Sequence, residues 1–180
     1  MGRQATPGWA RVPFVIKFVE FGRNTPYECF ILEHAQSADR TPLWEGTVTV
    51  RIVLADDHVL IRRELRRLLE AEEGWLVCGE AENGREAVGL CDALQPDVVT
   101  LDIRMPVMGG LEAARLIREV APATVVVIVS MDGSEVVAAA ARVAGAQGYV
   151  LKAEAPDQLV PVIRALLARA THAPPRRQTP

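Results

Sequence analysis

The feature that most constrains this chain is a fivefold alternation that begins near residue 50. Short runs rich in β-branched residues alternate with longer segments in which apolar residues recur every three or four positions. The runs are VRIVLADD (50–57), WLVCGEA (75–81), PDVVTLD (96–102), ATVVVIVS (123–130) and AQGYVLK (146–152). Short apolar runs of this kind suit strands buried on both faces. The segments between and after them, 58–74, 83–94, 110–120, 134–145 and 155–170, read as amphipathic helices. In the first of these, Ile61, Leu65, Leu68 and Leu69 repeat at helical intervals and Gly74 supplies a stop. Ser134 is placed to cap the fourth helix, and Pro161 inside the fifth is expected to kink or delay it. Strands that each lead into a helix predict parallel pairing through right-handed crossovers. The expected fold is therefore α/β, an open doubly wound sheet of five parallel strands with five helices.

Three segments follow. Residues 1–48 differ in character from what comes after. VPFVIKFVEF (12–21) reads as a strand, but it stands among Pro7, Pro13, Pro26 and Pro42 with no evident partner. This leader is expected to be a poorly ordered extension or a mis-assigned start. Residues 49–170 form the α/β domain. The tail THAPPRRQTP (171–180) reads as a disordered end or a truncated linker.

Composition excludes several classes of function. A net charge of −3 leaves no electrostatic footprint for nucleic acid or for an anionic membrane surface. Cys29, Cys78 and Cys91 are scattered and form no CxxC pair, so they read as buried or free thiols in a reducing compartment. Apolar runs such as VVAAAA (136–141) are too short to span a bilayer, and the N-terminus carries no secretory pattern. A cytoplasmic protein with no membrane partner is expected. No strand is followed by GxGxxG or GK[ST], which argues against a nucleotide-binding module.

In a doubly wound sheet, ligands bind beyond the carboxyl ends of the strands. The first strand ends in Asp56-Asp57, the third in Asp102, the fourth in Ser130 and the fifth in Lys152. Taken singly, each has an ordinary explanation: a cap, a turn residue or a surface charge. Taken together, they converge on one rim. Three carboxylates there repel one another unless they share a cation, and an all-oxygen set suits Mg²⁺. Lys152 adds a compact positive charge in a chain that otherwise uses arginine, with Lys17 its only other lysine. Ser130 adds a short hydroxyl. A carboxylate nucleophile, a divalent cation, a lysine and a hydroxyl are what phosphorylation of an aspartate needs. Asp102 is placed to receive the phosphoryl group.

Residues 50–169 resemble the response-regulator receiver family. The resemblance rests on DDH (56–58), LDIRMPVMGGLEA (101–113), the strand ending at Ser130, and GAQGYVLK (145–152). DDHVLIRRELRRLLE and GEAENGREAV are similar to the NarL/FixJ-type branch, whose members usually carry a LuxR-type helix-turn-helix that does not follow here. The resemblance implies a flavodoxin-like sheet of strand order 2-1-3-4-5. It implies that Asp102 accepts phosphate from a sensor histidine kinase. Asp57, Asp102 and the Arg104 carbonyl would hold Mg²⁺, with Asp56 assisting through water. Ser130 and Lys152 would bind phosphoryl oxygens, and Tyr149 would reorient when Ser130 moves. Control of transcription, a homodimer, and DNA contact through a further C-terminal domain are implied by the branch alone. Helix five belongs to a surface that such proteins use to dimerise, so Pro161 bears on the dimer mode.

Three rival readings remain at this point. One is a pseudo-receiver that is never phosphorylated. Another is an aspartyl-phosphate hydrolase of haloacid-dehalogenase type, which would need a second Asp where Arg104 stands. The third is the nucleotide-binding module, whose signature follows no strand. The resemblance implies no enzyme activity beyond self-directed phosphotransfer and dephosphorylation.

Overall fold

Each of the five apolar runs forms a strand of one sheet. The computed structural model describes residues 50–171, together with Ile16–Lys17 and Ile31–Leu32. The strands are β1 (Val50–Ala55), β2 (Trp75–Ala81), β3 (Val98–Leu101), β4 (Val125–Ser130) and β5 (Gly148–Leu151). All neighbours pair parallel, in the order β2-β1-β3-β4-β5. The helices are α1 (Val59–Glu70), α2 (Gly84–Leu94), α3 (Gly110–Val120), α4 (Glu135–Val143) and α5 (Ala155–Thr171). The expected fold class is the one found.

The period of two along each strand divides the core between the faces of the sheet. Val53, Val99, Leu101, Val126 and Ile128 face α2, α3 and α4, where Ala87, Ala113, Ile117 and Ala141 are buried against them. Ile52, Leu54, Val98, Val127 and Val129 face the other way, onto Leu65 and Leu69 of α1 and Leu159 and Ile163 of α5. Each of these large side chains contributes about 1.5 to 3 kcal/mol by leaving water. Between β1 and β2 the register slips by one residue: Ile52 stands opposite Val77, but Val53 stands opposite Gly79. Cys78 is thus left over, and its thiol donates to the Ile52 carbonyl at 3.4 Å. Burial pushes the neighbouring Cys91 thiol up to about 12, with Cys78 a smaller cause, so Cys91 is an inert core residue.

The elements end where local chemistry stops them. Ser134 caps α4 as expected, its hydroxyl accepting from Val137 N–H. Asn83 caps α2 by accepting from Glu86 N–H, and Glu86 returns the bond to Glu82 N–H. Helix α1 stops at Glu70 instead of running on to Gly74, which carries a positive φ at the entry to β2. Pro161 neither delays nor interrupts α5, which is continuous from Ala155 to Thr171. An exposed proline there forfeits one backbone donor without meeting the sheet.

The chain divides into two units, Met1–Leu43 and Trp44–Pro180. In the first, Ile16–Lys17 pairs antiparallel with Ile31–Leu32. The rest of the strand expected over 12–21 lies outside the described residues, as do the leader's other positions and the tail from residue 172.

Candidate functional site at the carboxyl edge of the sheet

Parallel strands all end at the same edge, so residues just past them are brought together. Pairing continues one residue beyond the strands: Asp56 N–H donates to Ala81 O and Asp102 N–H to Ala55 O. Asp56 (2% exposed) and Asp102 (6%) are both buried, Asp57 is on the exposed lip, and Ser130 is buried at the end of β4. Lys152 opens a 3-10 turn after β5, and its ammonium lies between the two buried carboxylates. Its Nζ is 2.6 Å from Asp56 Oδ2 and 3.2 Å from Asp102 Oδ1. The structure therefore brings Asp56, Asp102 and Lys152 into direct contact.

The rim is electrostatically unbalanced. Two buried carboxylates share one ammonium, and Asp57 adds a further negative charge beside them. Burial raises the Asp102 pKa above the ordinary carboxylate range, Lys152 opposes that shift, and Asp56 reinforces it. Asp56 Oδ2 is ion-paired with the Lys152 ammonium. Two buried carboxylates with Asp57 beside them are an oxygen-rich donor set whose chemistry fits a hard cation. Ligand atoms of Asp56, Asp57 and His58 all lie within 4.8 Å of one another. Asp102 stands outside this group and joins it through Lys152.

Ser130 and Tyr149 are oriented by the loop after β4. Ser130 Oγ accepts from Asp132 N–H at 3.1 Å, and the Tyr149 hydroxyl donates to Asp132 O. Asp132 Oδ1 accepts from Ser134 N–H, which holds its exposed carboxyl below the usual range. Arg104 presents its N–H to Asp102 Oδ2 at 3.2 Å.

The loop after Asp102 answers to close packing. A Cβ on Gly110 would come within 2.0 Å of the Asp102 carbonyl oxygen, so only glycine passes there. Met108 N–H donates to Pro106 O across Val107, whose φ is +64°. This is a γ-turn that places a β-branched residue in the left-handed region, a strained arrangement.

Sequence reasoning missed Arg62. This α1 residue is buried, donates from Nη1 to Asp56 O at 2.7 Å, and pairs with Glu80 at 3.2 Å and Glu82 at 2.8 Å. The available signal was its place at 62, 65, 69, in line with the buried leucines of α1. His58 stands in the DDH motif, but the sequence suggested no role for it. Its N–H donates to Asp56 Oδ1 at 2.9 Å, and its ring Nδ1 meets Asp57 Oδ1 at 2.7 Å.

A doubly wound flavodoxin-like domain with an acidic, lysine-bridged carboxyl edge is the class that this fold and site define. Within that class the chain belongs to the response regulator receiver domain family, whose model matches residues 52–164. Response regulator UvrY of Escherichia coli is 38% identical over 117 residues, which cover 65% of this chain and 54% of UvrY. A solved two-component response regulator of the LuxR family from an Aurantimonas species is 41% identical with a TM-score of 0.65, covering 67% of this chain and 86% of that one. A solved signal receiver domain from Mycobacterium tuberculosis, assigned to the response regulator NarL, is 34% identical with a TM-score of 0.60, covering 69% of this chain and 98% of that one. The chain spans about half the length of the curated relatives it matches first. The hydrolase reading gives way to the receiver family. No helix among the described residues is long and apolar enough to cross a membrane.

Proposed function

We propose that this receiver accepts a phosphoryl group on Asp102 from a sensor histidine kinase and thereby changes a partner-binding surface in a regulator of transcription. The observation that carries the reading is the Lys152 ammonium lying against both Asp56 and Asp102. An Asp102 carboxylate oxygen attacks phosphorus while the bond from phosphorus to the kinase imidazole nitrogen breaks. The electron pair stays on that nitrogen. Lys152 offsets negative charge on one phosphoryl oxygen, and the Ser130 hydroxyl donates to another once it leaves Asp132. Asp57 and Asp102, with the Arg104 carbonyl, would hold Mg²⁺, and Asp56 would support it through water. When bound, the ion offsets charge on the transferring group.

Tyr149 follows Ser130, and the surface around α4 and β5 changes its preferred partner. Asp102 chemistry is thus self-directed, and the domain turns over no external substrate. Two further expectations come from the family resemblance alone: a homodimer, and DNA contact if a further C-terminal domain exists. The protein's place in the cytoplasm follows from the same resemblance.

The test is intact mass after incubation with Mg²⁺ and acetyl phosphate, a small phosphodonor, for the wild type and Asp102→Asn. One phosphoryl adduct in the wild type alone, abolished by prior EDTA, supports the reading. No adduct in either leaves an unphosphorylated interaction module instead.

A further inference from the structure

We propose that Arg62 is a positioning residue for phosphorylation of Asp102. By holding the backbone between Asp56 and Asp57, it sets both carboxylates and the Lys152 ammonium before any ion arrives. The proposal rests on the reading of Asp102 as the phosphoacceptor, and Arg62 acts from outside the rim, through the Asp56 carbonyl.

The guanidinium uses all three of its nitrogens. Nη1 donates to Asp56 O at 2.7 Å, Nε to Glu80 Oε2 at 3.2 Å and Nη2 to Glu82 Oε1 at 2.8 Å. Asp56 is the first residue past β1, so its carbonyl lies beyond the end of that strand. Glu80 is in β2 and Glu82 just past it, where its N–H is taken by Glu86 in the capping box of α2. One side chain thus ties α1, the end of β1 and the end of β2 together. Asp56 in turn orders the rim. Its Oδ1 accepts from His58 N–H, and its Oδ2 is 2.6 Å from Lys152 Nζ, which is 3.2 Å from Asp102 Oδ1. Rotation of the peptide after Asp56 would disturb each of these contacts.

Stability alone does not account for an arginine here. Arg62 is buried in line with Leu65 and Leu69. An apolar side chain of similar volume often matches a buried ion pair in stability, because it removes no charge from water. What such a side chain cannot do is bond the Asp56 carbonyl while anchored on a second strand. Lysine is a poor substitute too, since one ammonium lacks the planar fork that meets three acceptors at once. The two glutamates keep access to water, whereas the Asp56 carbonyl is buried and depends on Arg62. The ordinary alternative is an arginine that only packs α1 against β2.

The experiment follows adduct formation with acetyl phosphate in the full chain as MgCl₂ is varied. The proteins are the wild type, Arg62→Met, Arg62→Lys and Glu82→Gln, with a melting profile for each. In Arg62→Met the MgCl₂ concentration for half-maximal rate should rise about tenfold or more, the usual cost of losing a group that orients metal ligands. The rate at saturating MgCl₂ should stay within about twofold, because the bound ion then orders the turn itself. Arg62→Lys should fall between the two, since an ammonium reaches the carbonyl but not both glutamates. Glu82→Gln keeps the bond to Asp56 and should shift least. Two readouts need no phosphorylated product. Calorimetric titration with MgCl₂ should show the same loss of affinity. Without Mg²⁺, amide exchange at His58 should accelerate in Arg62→Met while β3 and β4 exchange as in the wild type, the mark of opening confined to one turn.

Equal Mg²⁺ affinity in the wild type and Arg62→Met would overturn the proposal. So would unchanged exchange at His58, or a loss of rate that saturating Mg²⁺ does not recover, which is what a residue that only supports the fold would give. If Arg62→Met does not fold, Arg62→Lys is held to the same criteria. A wild type that takes no phosphoryl group removes the phosphoacceptor reading, while calorimetry and exchange still decide whether Arg62 places the turn.

Discussion

Ser130 and Tyr149 hold opposite ends of the same residue. The serine hydroxyl accepts from the N–H of Asp132, and the tyrosine hydroxyl donates to its carbonyl. Asp132 in turn accepts from Ser134 N–H at the start of α4. The end of β4, the aromatic of β5 and the cap of α4 therefore share one loop residue. A Ser130 hydroxyl that turns toward the Asp102 side must give up the Asp132 N–H.

Tyr149→Phe removes one of those two grips and leaves the ring in place. Because the bond is exposed, the cost to stability should be small, about 0.5 kcal/mol in a urea unfolding curve. Amide exchange at residues 131–134 should accelerate, while exchange in β1 and β3 stays unchanged. If the loop exchanged no faster, the phenol would not be what holds it.

Asp102→Asn should make the protein more stable at pH 7. The wild-type carboxyl has a raised pKa in the folded state, so between the unfolded and folded values the native state binds more protons. Its contribution therefore favours folding at low pH and is lost as pH rises through the folded value. The advantage of the asparagine should be largest at neutral pH and shrink on acidification. Urea midpoints at pH 7 and pH 5 measure both quantities.

Gly110→Ala should cost about 3 kcal/mol and lower adduct formation at Asp102, because backbone must move to clear a new Cβ. Gly89→Ala is the natural control. Nothing lies within 4 Å of a Cβ there, inside α2. It should stabilise by about 0.5 to 1 kcal/mol through helix propensity alone. Thermal melts of the two variants should therefore move in opposite directions.

Thr100→Val should be neutral to stabilising, by up to about 1 kcal/mol. The Thr100 hydroxyl is buried in β3 without a hydrogen bond, between Leu54 and Val127 in register. A methyl of similar size removes the desolvation cost and keeps the volume. A clear loss of stability would mean that the hydroxyl has a partner when the protein is in water.

Much of this was legible because period and position are local properties. Strand type, helix type and the convergence of Asp56, Asp102, Ser130 and Lys152 follow from which residues end which runs. Boundaries were less so: Lys152 belongs to a turn, not to β5, and α1 ends four residues short of Gly74. Arg62 was hidden because an arginine in an Arg-rich helix reads as solvated. Its burial is decided by Glu80 of β2 and Glu82 just past that strand. Asp132 was hidden for a similar reason, since its role is carried largely by its backbone.

The register slip at Cys78 has a consequence at the rim. Cys78 and Gly79 both lie on the α2 side of β2, one packing into that core and the other facing Leu90 and Leu94. That single surplus residue inverts the parity of everything after it. In an unbroken alternation from Val77, Glu80 would point at α2. As built, it points at α1, where it meets Arg62 and Arg66. The guanidinium that clamps the Asp56 carbonyl thus depends on an odd-numbered insertion in an edge strand. Straightening β2 with Cys78 kept in the ladder would turn Glu80 into a core-facing charge and leave Arg62 without its β2 carboxylate, so the acidic rim is tuned from a position that touches none of its atoms.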